Sequence, residues 1–446
     1  MQTHTMAKIR FGFGLRAGEA RITGADDLLA PLHADQSDET SGAGIVERIT
    51  ALRQFQKLKR DERDGKAQMR DVKTAQRKMR QSGLADAARI FNRPVRSEAG
   101  FLERLFFFWA DHFTVSAKSQ RLSFMLPAYL DEAIRPHVSG KFSDMLYAVI
   151  THPAMLIYLD QVASVGPRSR VGRRRNAGLN ENLARELLEL HTMGVGSGYD
   201  QTDVTELAEL LTGLSVNADG FRFAPQIAEP GAETILGQRY GSAKRARLSD
   251  IRDALDDIAL RPETATHLAR KLVVHFLGTP DRDLIARTAR AYQQSKGDLG
   301  AAYAAMLSDP SAWQAPLQKV KPPADFIISA LRVLEFDGLD SLSVKEFRQG
   351  VFQPMIAMGQ TPFRPQGPDG WSEEAADWIT PATLAARIEW AAGAARKLAP
   401  DRDPRAFIDT ALADAASKEL HFAARAAESK WEGIALILAS PEFNRR

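Results

Sequence analysis

Apolar residues recur at helical spacing along most of the chain, and the places where that spacing fails divide it. From Ile45 to about Phe91 the apolar positions are sparse (Ile49, Leu52, Phe55, Leu58), while basic residues crowd between Lys57 and Arg80. That pattern predicts a solvated helix laced with local ion pairs, broken or bent near Gly65 and Gly83, with an anionic partner or membrane surface as the sharper alternative. Pro94 closes the region. SEAGFLERLFFFWADHF then opens a new helix with Ser97 as its N-cap. Helical patterns continue through LPAYLDEAIRPHV, DMLYAVITHPAMLIYLD, GLNENLARELLELHTMG and DVTELAELLTGL. The Gly- and Arg-rich VASVGPRSRVGRRRNAGL has no apolar period and reads as a loop.

Residues 214–243 depart from the helical trend: FRFAPQ and ETILGQRYG read as short strands flanking a turn at Glu229-Pro230-Gly231. Helices return from DIRDALDDIAL to ADFIISALRVLEF. The irregular GQTPFRPQGPDGW carries Pro, Phe and Trp anchors, which predict an ordered loop walling a cleft. The expected fold is mainly α, a multi-helix globular body with long ordered loops and at most one small β-hairpin. Residues 1–177 form an N-terminal helical lobe with a basic helix at 45–91 and an Arg-rich loop at 161–179. Residues 178–446 form a C-terminal helical lobe with irregular insertions at 214–243 and 351–371, the whole being one contiguous unit.

Composition narrows the classes. The 446 residues are 44% hydrophobic and 26% charged, as in soluble globular proteins. A net charge of +3 is too small for a dedicated duplex-DNA binder, so nucleic acid is not the expected partner. The absence of cysteine excludes disulfides and thiolate sites. The N-terminus has no apolar signal region and no stretch reaches the ~18 apolar residues of a membrane span, so the expected location is cytoplasmic.

The densest chemistry lies in GLNENLARELLELHTMG, residues 178–194. Asn180 stands where an N-cap belongs and Gly194 where a C-cap glycine belongs. Leu183, Leu187 and Leu190 form one stripe; Asn182, Glu186 and Glu189 form a second beside it. Glu181, Arg185 and Glu189 are spaced for two surface ion pairs. Set against this bland reading, Glu186 and Glu189 at a cleft edge are candidate divalent-metal ligands or an acid–base pair, with Arg185 orienting an anionic substrate group. His112 shares a helix face with Trp109 while Asp111 points away. It reads as a hydrogen-bonded core histidine unless Glu186 or Glu189 converges on it, in which case it is a ligand or base. Arg168, Arg170, Arg173, Arg174 and Arg175 form either a solvated loop or a site for phosphate or an acidic partner. No zincin motif, Walker loop or nucleophile elbow is present, and RFGFGLRAG lacks the preceding strand a dinucleotide fingerprint needs.

RFGFGL, FFFWADHFTVS, GLNENLARELLELHTMGVGSGYDQTDVTELAELLTG, HLARKLVVHF, GQTPFRPQGPDGW and ILASPEFNRR, in this order, resemble the domain-of-unknown-function 1800 family over nearly the whole chain. The resemblance implies a largely helical bacterial protein. It also implies a genomic association with a second family, domain of unknown function 1501, which is similar to alkaline phosphatases and sulfatases and often carries an export signal. A partner or maturation factor for such a protein is therefore the first functional expectation, with periplasmic co-export as the alternative location. The residues matching the family's recurrent positions are Trp109, His112, Asn180, Glu181, Asn182, Arg185, Glu186, Glu189 and Asp203. A His-Asp pair common in the family is missing: FAPQIAEPGAETILG stands there instead. An enzyme with a Glu/His site between helices 101–113 and 180–193 is the second expectation, and an anionic-polymer or membrane-surface binder the third.

Overall fold

The chain begins by burying itself. In the computed structural model Ala7–Phe11 forms a wholly buried π-turn, and the Phe11 ring packs 6.1, 5.6 and 5.2 Å from those of Phe101, Phe276 and Trp313. The Arg10 guanidinium donates to the carbonyls of Ala312 (2.5 Å) and Pro316 (3.0 Å). A Cβ on Gly12 would lie 2.9 Å from the Lys8 carbonyl, and Gly14 has φ +98°. These glycines let a buried plug pass close under the 100–112 helix; they cradle no phosphate.

The structure describes residues 1–33, 42–175, 178–242, 245–314, 316–336 and 338–446. Part of the acidic, turn-rich stretch (34–41), residues 176–177 and the Arg175 side chain in the Arg-rich loop, and residue 243 of the 214–243 insertion lie outside the described residues.

The basic region folds as helices Ile45–Arg63 and Met69–Arg96. The break falls at Gly65, where φ is +72°, whereas Gly83 stays inside the second helix. A mid-helix glycine costs about 1 kcal/mol, and burial of Ala87, Ala88, Ile90 and Phe91 one turn on offsets it. The local ion pairs Lys66–Asp64 (3.9 Å), Arg70–Asp71 (3.7 Å) and Arg89–Asp86 (3.8 Å) are long, and the close one, Arg48–Asp86 (2.8 Å), is buried between the two helices. The next helix, Gly100–His112, starts after the Ser97 hydroxyl accepts the Ala99 amide at 3.1 Å. It is the centre of the core: Phe101, Leu105, Phe106, Phe108 and Trp109 are at most 3% exposed. The Trp109 indole donates to the Tyr303 hydroxyl at 2.6 Å.

The mainly helical class holds, and the strands lie within 214–242 as two hairpins. β1 (Leu214–Asn217) pairs with β2 (Gly220–Phe223), and β3 (Gly231–Ile235) with β4 (Gln238–Ser242), both antiparallel. Glu229-Pro230-Gly231 therefore leads from one hairpin into the next. Leu236 (φ +53°) and Gly237 (φ +79°) make the tight turn between β3 and β4. The 351–371 stretch is helical at first, over Gln353–Ala357, and irregular beyond. One continuous core cluster draws on residues from Ala7 to Phe443, on both sides of position 177. Among the described residues no helix is long and apolar enough to cross a membrane.

Candidate active-site cleft

The helix Asn182–Glu186 runs into a π-turn, Leu187–His191, a distortion that recurs at functional sites. Most of its polar residues hold structure. The Asn180 Oδ1 accepts the Asn182 amide (2.9 Å) and its Nδ2 donates to the Asp160 carbonyl (3.2 Å), so it holds the helix start from one residue ahead of the N-cap, Glu181. Glu181 accepts from Arg185 (3.1 Å), Gln201 (2.9 Å) and Thr205 (2.8 Å). Arg185 lies 3.6 Å from Glu189, completing the ladder its spacing predicts. Asp203 accepts the amides of Asp200 (3.1 Å) and Leu236 (2.6 Å), fixing the β3–β4 hairpin to the helix Gln201–Leu210. Asn182 is exposed. Glu186 stands outside this ladder: burial, then Glu189 and Asp369, raise its pKa.

His112 is 1% exposed and its Nε2 lies 3.1 Å from the His191 carbonyl oxygen. Its ring sits 6.2 Å from that of His191 and 6.3 Å from that of His267. Burial, then Lys271, keeps these imidazoles neutral, with His191 pushed down to about 3 and His267 to about 4. Neither Glu186 nor Glu189 hydrogen-bonds to His112. Among the described residues the one trio of His or carboxylate ligand atoms lying within 4.8 Å of one another is Glu206, Glu209 and Glu233, so His112, Glu186 and Glu189 do not form such a set.

What faces the cleft is the neighbouring Asp111. The loop at 359–372 folds back over the 100–112 helix: the Ala117 amide donates to the Phe363 carbonyl (2.8 Å), the Ser116 hydroxyl to the Pro365 carbonyl (3.0 Å), and the Trp371 amide to Asp111 Oδ1 (2.9 Å). Burial pushes the Asp111 carboxyl up to about 7; Lys271 and the Trp371 amide pull it down, while Glu373 and Asp369 push it further up. Lys271, on the helix Pro262–Leu277, is half-buried, and desolvation lowers its pKa against the pull of Asp111, Glu373 and Asp369. It makes no ion pair within 4.0 Å among the described residues. Tyr158 is raised to about 12 by burial and then by Glu186 and Asp369. Lys271 and Asp369 thus both act electrostatically on Asp111, Asp369 also acts on Glu186 and Tyr158, and Lys271 on the neutral histidines.

Its rear wall is tied down by charge. His275 Nδ1 lies 2.8 Å from Glu373, which also pairs with Lys319; despite burial, His275, Lys319 and Arg446 hold the Glu373 carboxyl far below the usual range. Arg446 donates to the His275 carbonyl (2.9 Å) and pairs with Asp325 (3.3 Å), which Arg104 also engages. Spacing in THLARKLVVHF pairs His267 with Lys271 at i, i+4 but gives neither a role, and it marks nothing at Asp369, although the anchored loop carrying Asp369 is the one expected to wall a cleft.

A second polar cluster occupies the Arg-rich loop. Arg168 pairs with the buried Glu229 and lies 3.5 Å from Glu209 and 3.6 Å from Glu233. Arg170, Arg173 and Arg174 are exposed. Burial and the neighbouring Glu206 and Glu209 raise Glu233 to about 8. Of the residues present, Glu206, Glu209 and Glu233 offer the best oxygen set for a hard divalent cation.

The architecture is that of a mainly α protein in which a folded-back loop covers Asp111. The chain belongs to the family described as protein of unknown function (DUF1800), whose model matches residues 7–445. No curated protein and no solved structure matches it.

Proposed function

We propose that the protein is an enzyme whose cleft performs general acid–base chemistry on a substrate carrying an anionic group. Asp111 exchanges the proton, Lys271 receives the anionic group, and Glu186 and Asp369 position the remainder. The supporting observation is the Asp111 carboxyl covered by the 359–372 loop, where it accepts the Trp371 amide at 2.9 Å; burial there pushes it up to about 7 against the pull of Lys271, which suits acid–base catalysis near neutral pH. His112 serves here as a neutral packing partner behind the site, and Arg185 as a strut for the 182–191 helix. The test is depletion of small molecules from host extract, compared between the wild type and Asp111→Asn. Asp111→Asn is expected to fold and to lose about 10²–10⁴-fold of any wild-type turnover. Equal turnover in both proteins would overturn the proposal.

An apolar groove of about 680 Å³ beside helix Pro381–Leu398, lined by Leu331, Phe336, Leu342 and Trp390, favours a second reading. In it the protein docks a phosphatase- or sulfatase-like partner as a maturation factor, in the cytoplasm or by co-export to the periplasm. Copurification of that partner from the host, lost in Trp390→Ala, supports this reading; a bare tagged protein opposes it.

A further inference from the structure

On the outer side of Asp111, helix 69–96 and the 344–357 segment enclose a cleft of about 700 Å³ lined by Lys73, Arg77, Arg80, Lys345 and Arg348. Glutamines and Val344 complete its lining; no carboxylate does. Among the described residues, Lys73, Arg77, Arg80 and Arg348 make no ion pair. Cations so concentrated repel one another, which an anionic ligand relieves.

This basic cleft opens onto apolar space. Gln76, Arg80 and Arg348 line both it and a second chamber of about 550 Å³, walled by Met79, Leu84, Ile90, Phe124, Phe352 and Ile356. That size falls within the range of small-molecule pockets. Ile90, Leu126, Pro362 and Phe363 are in turn shared with an inner space of about 100 Å³ ending at Trp371 and Asp111. An edge-on aromatic contact shapes the inner wall, with Phe91 5.9 Å from Phe363. Charge and grease are therefore segregated along one groove.

We propose that this groove binds a single-chain anionic amphiphile, a long-chain carboxylate or alkyl phosphate. The headgroup pairs with Arg80 and Arg348 at the junction, and the chain fills the apolar chamber. Free phosphate would leave that chamber unexplained, and a nucleic acid strand would need stacking rings along the basic cleft, whose lining has none. The inference does not depend on catalysis at Asp111.

The test is titration calorimetry of the full chain with dodecyl phosphate, dodecanoate, dodecanol and inorganic phosphate, alongside an acidic amphipathic peptide. The two charged amphiphiles are expected to bind about tenfold or more tighter than inorganic phosphate. Arg80→Ala/Arg348→Ala should weaken them about tenfold while leaving dodecanol unchanged. Met79→Trp should weaken dodecanol and both amphiphiles together. Circular dichroism confirms that each variant is folded. Inorganic phosphate binding as tightly as dodecyl phosphate would reduce the groove to a free-anion site and overturn the proposal. So would the peptide outcompeting both amphiphiles, or failure of both to bind.

Discussion

At the scale of single residues, two adjacent side chains, His112 and Asp111, compete for the chemical role. His112 attracts attention in the sequence, yet it is sealed among Trp109, Phe113 and His191. Asp111 falls on the face that local periodicity assigns to solvent. A loop some 260 residues later covers that face, and short-range spacing carries no trace of such a return. The two give opposite pH signatures. Asp111 keeps its proton up to about 7 when folded, whereas the unfolded chain releases it near 4. Stability from this group therefore falls as pH rises from about 4 to about 7, by roughly 2 kcal/mol given its partial exposure. Urea titrations across that window should show Asp111→Asn losing this decline. His267 and His275, folded values about 4, and His191, about 3, act in the other direction. The unfolded chain protonates near 6.5, so stability is lost as pH falls from there toward 4. His267→Gln should make acid unfolding measurably shallower.

At the scale of elements, the apolar stripe and Glu181–Arg185–Glu189 ladder of the 182–191 helix follow from spacing alone, whereas the N-cap falls at Glu181, one residue after Asn180. The π-turn at Leu187–His191 was not legible, because one extra residue in a turn leaves no mark on the apolar period. The ladder is partly exposed, so Arg185→Ala should cost less than about 1 kcal/mol in thermal unfolding. Of the hairpins, β2 was legible as a strand and β1 was not, while ETILGQRYG reads as one strand but folds back on itself, since the Leu236-Gly237 turn lacks the usual Asn-Gly or Asp-Gly signature. The covering loop depends on Gly370, which has φ +86° and a missing Cβ that would sit 2.8 Å from Asp111 Oδ1. Gly370→Ala should cost about 1–3 kcal/mol and displace the Trp371 amide from Asp111. Altered Trp371 fluorescence with a shifted Asp111 titration is the expected readout; an unchanged spectrum and titration would show the loop does not set the site.

At the scale of the molecule, buried arginines join distant segments in ways no window of sequence reveals. Arg104 donates to the Gly12 carbonyl (3.0 Å) and pairs with Asp325, while Arg332 donates to the carbonyls of Gly14 (3.2 Å) and Pro94 (3.0 Å). The N-terminal plug, the 100–112 helix and the 323–333 helix thus share one charged lattice behind the cleft. Asp325→Asn leaves Arg104 and Arg446 without their buried counter-charge, and should cost about 3–5 kcal/mol in denaturant unfolding. The mainly helical class, by contrast, needs only the apolar period and was readable throughout. The measurement closest to the central claim is a carbon-13 titration of the aspartate carboxyls in the wild type, Asp111→Asn and Lys271→Met. One carboxyl is expected to titrate near 7 in the wild type, to be absent in Asp111→Asn and to shift upward in Lys271→Met. An Asp111 carboxyl that titrates near 4 in the wild type would contradict that claim.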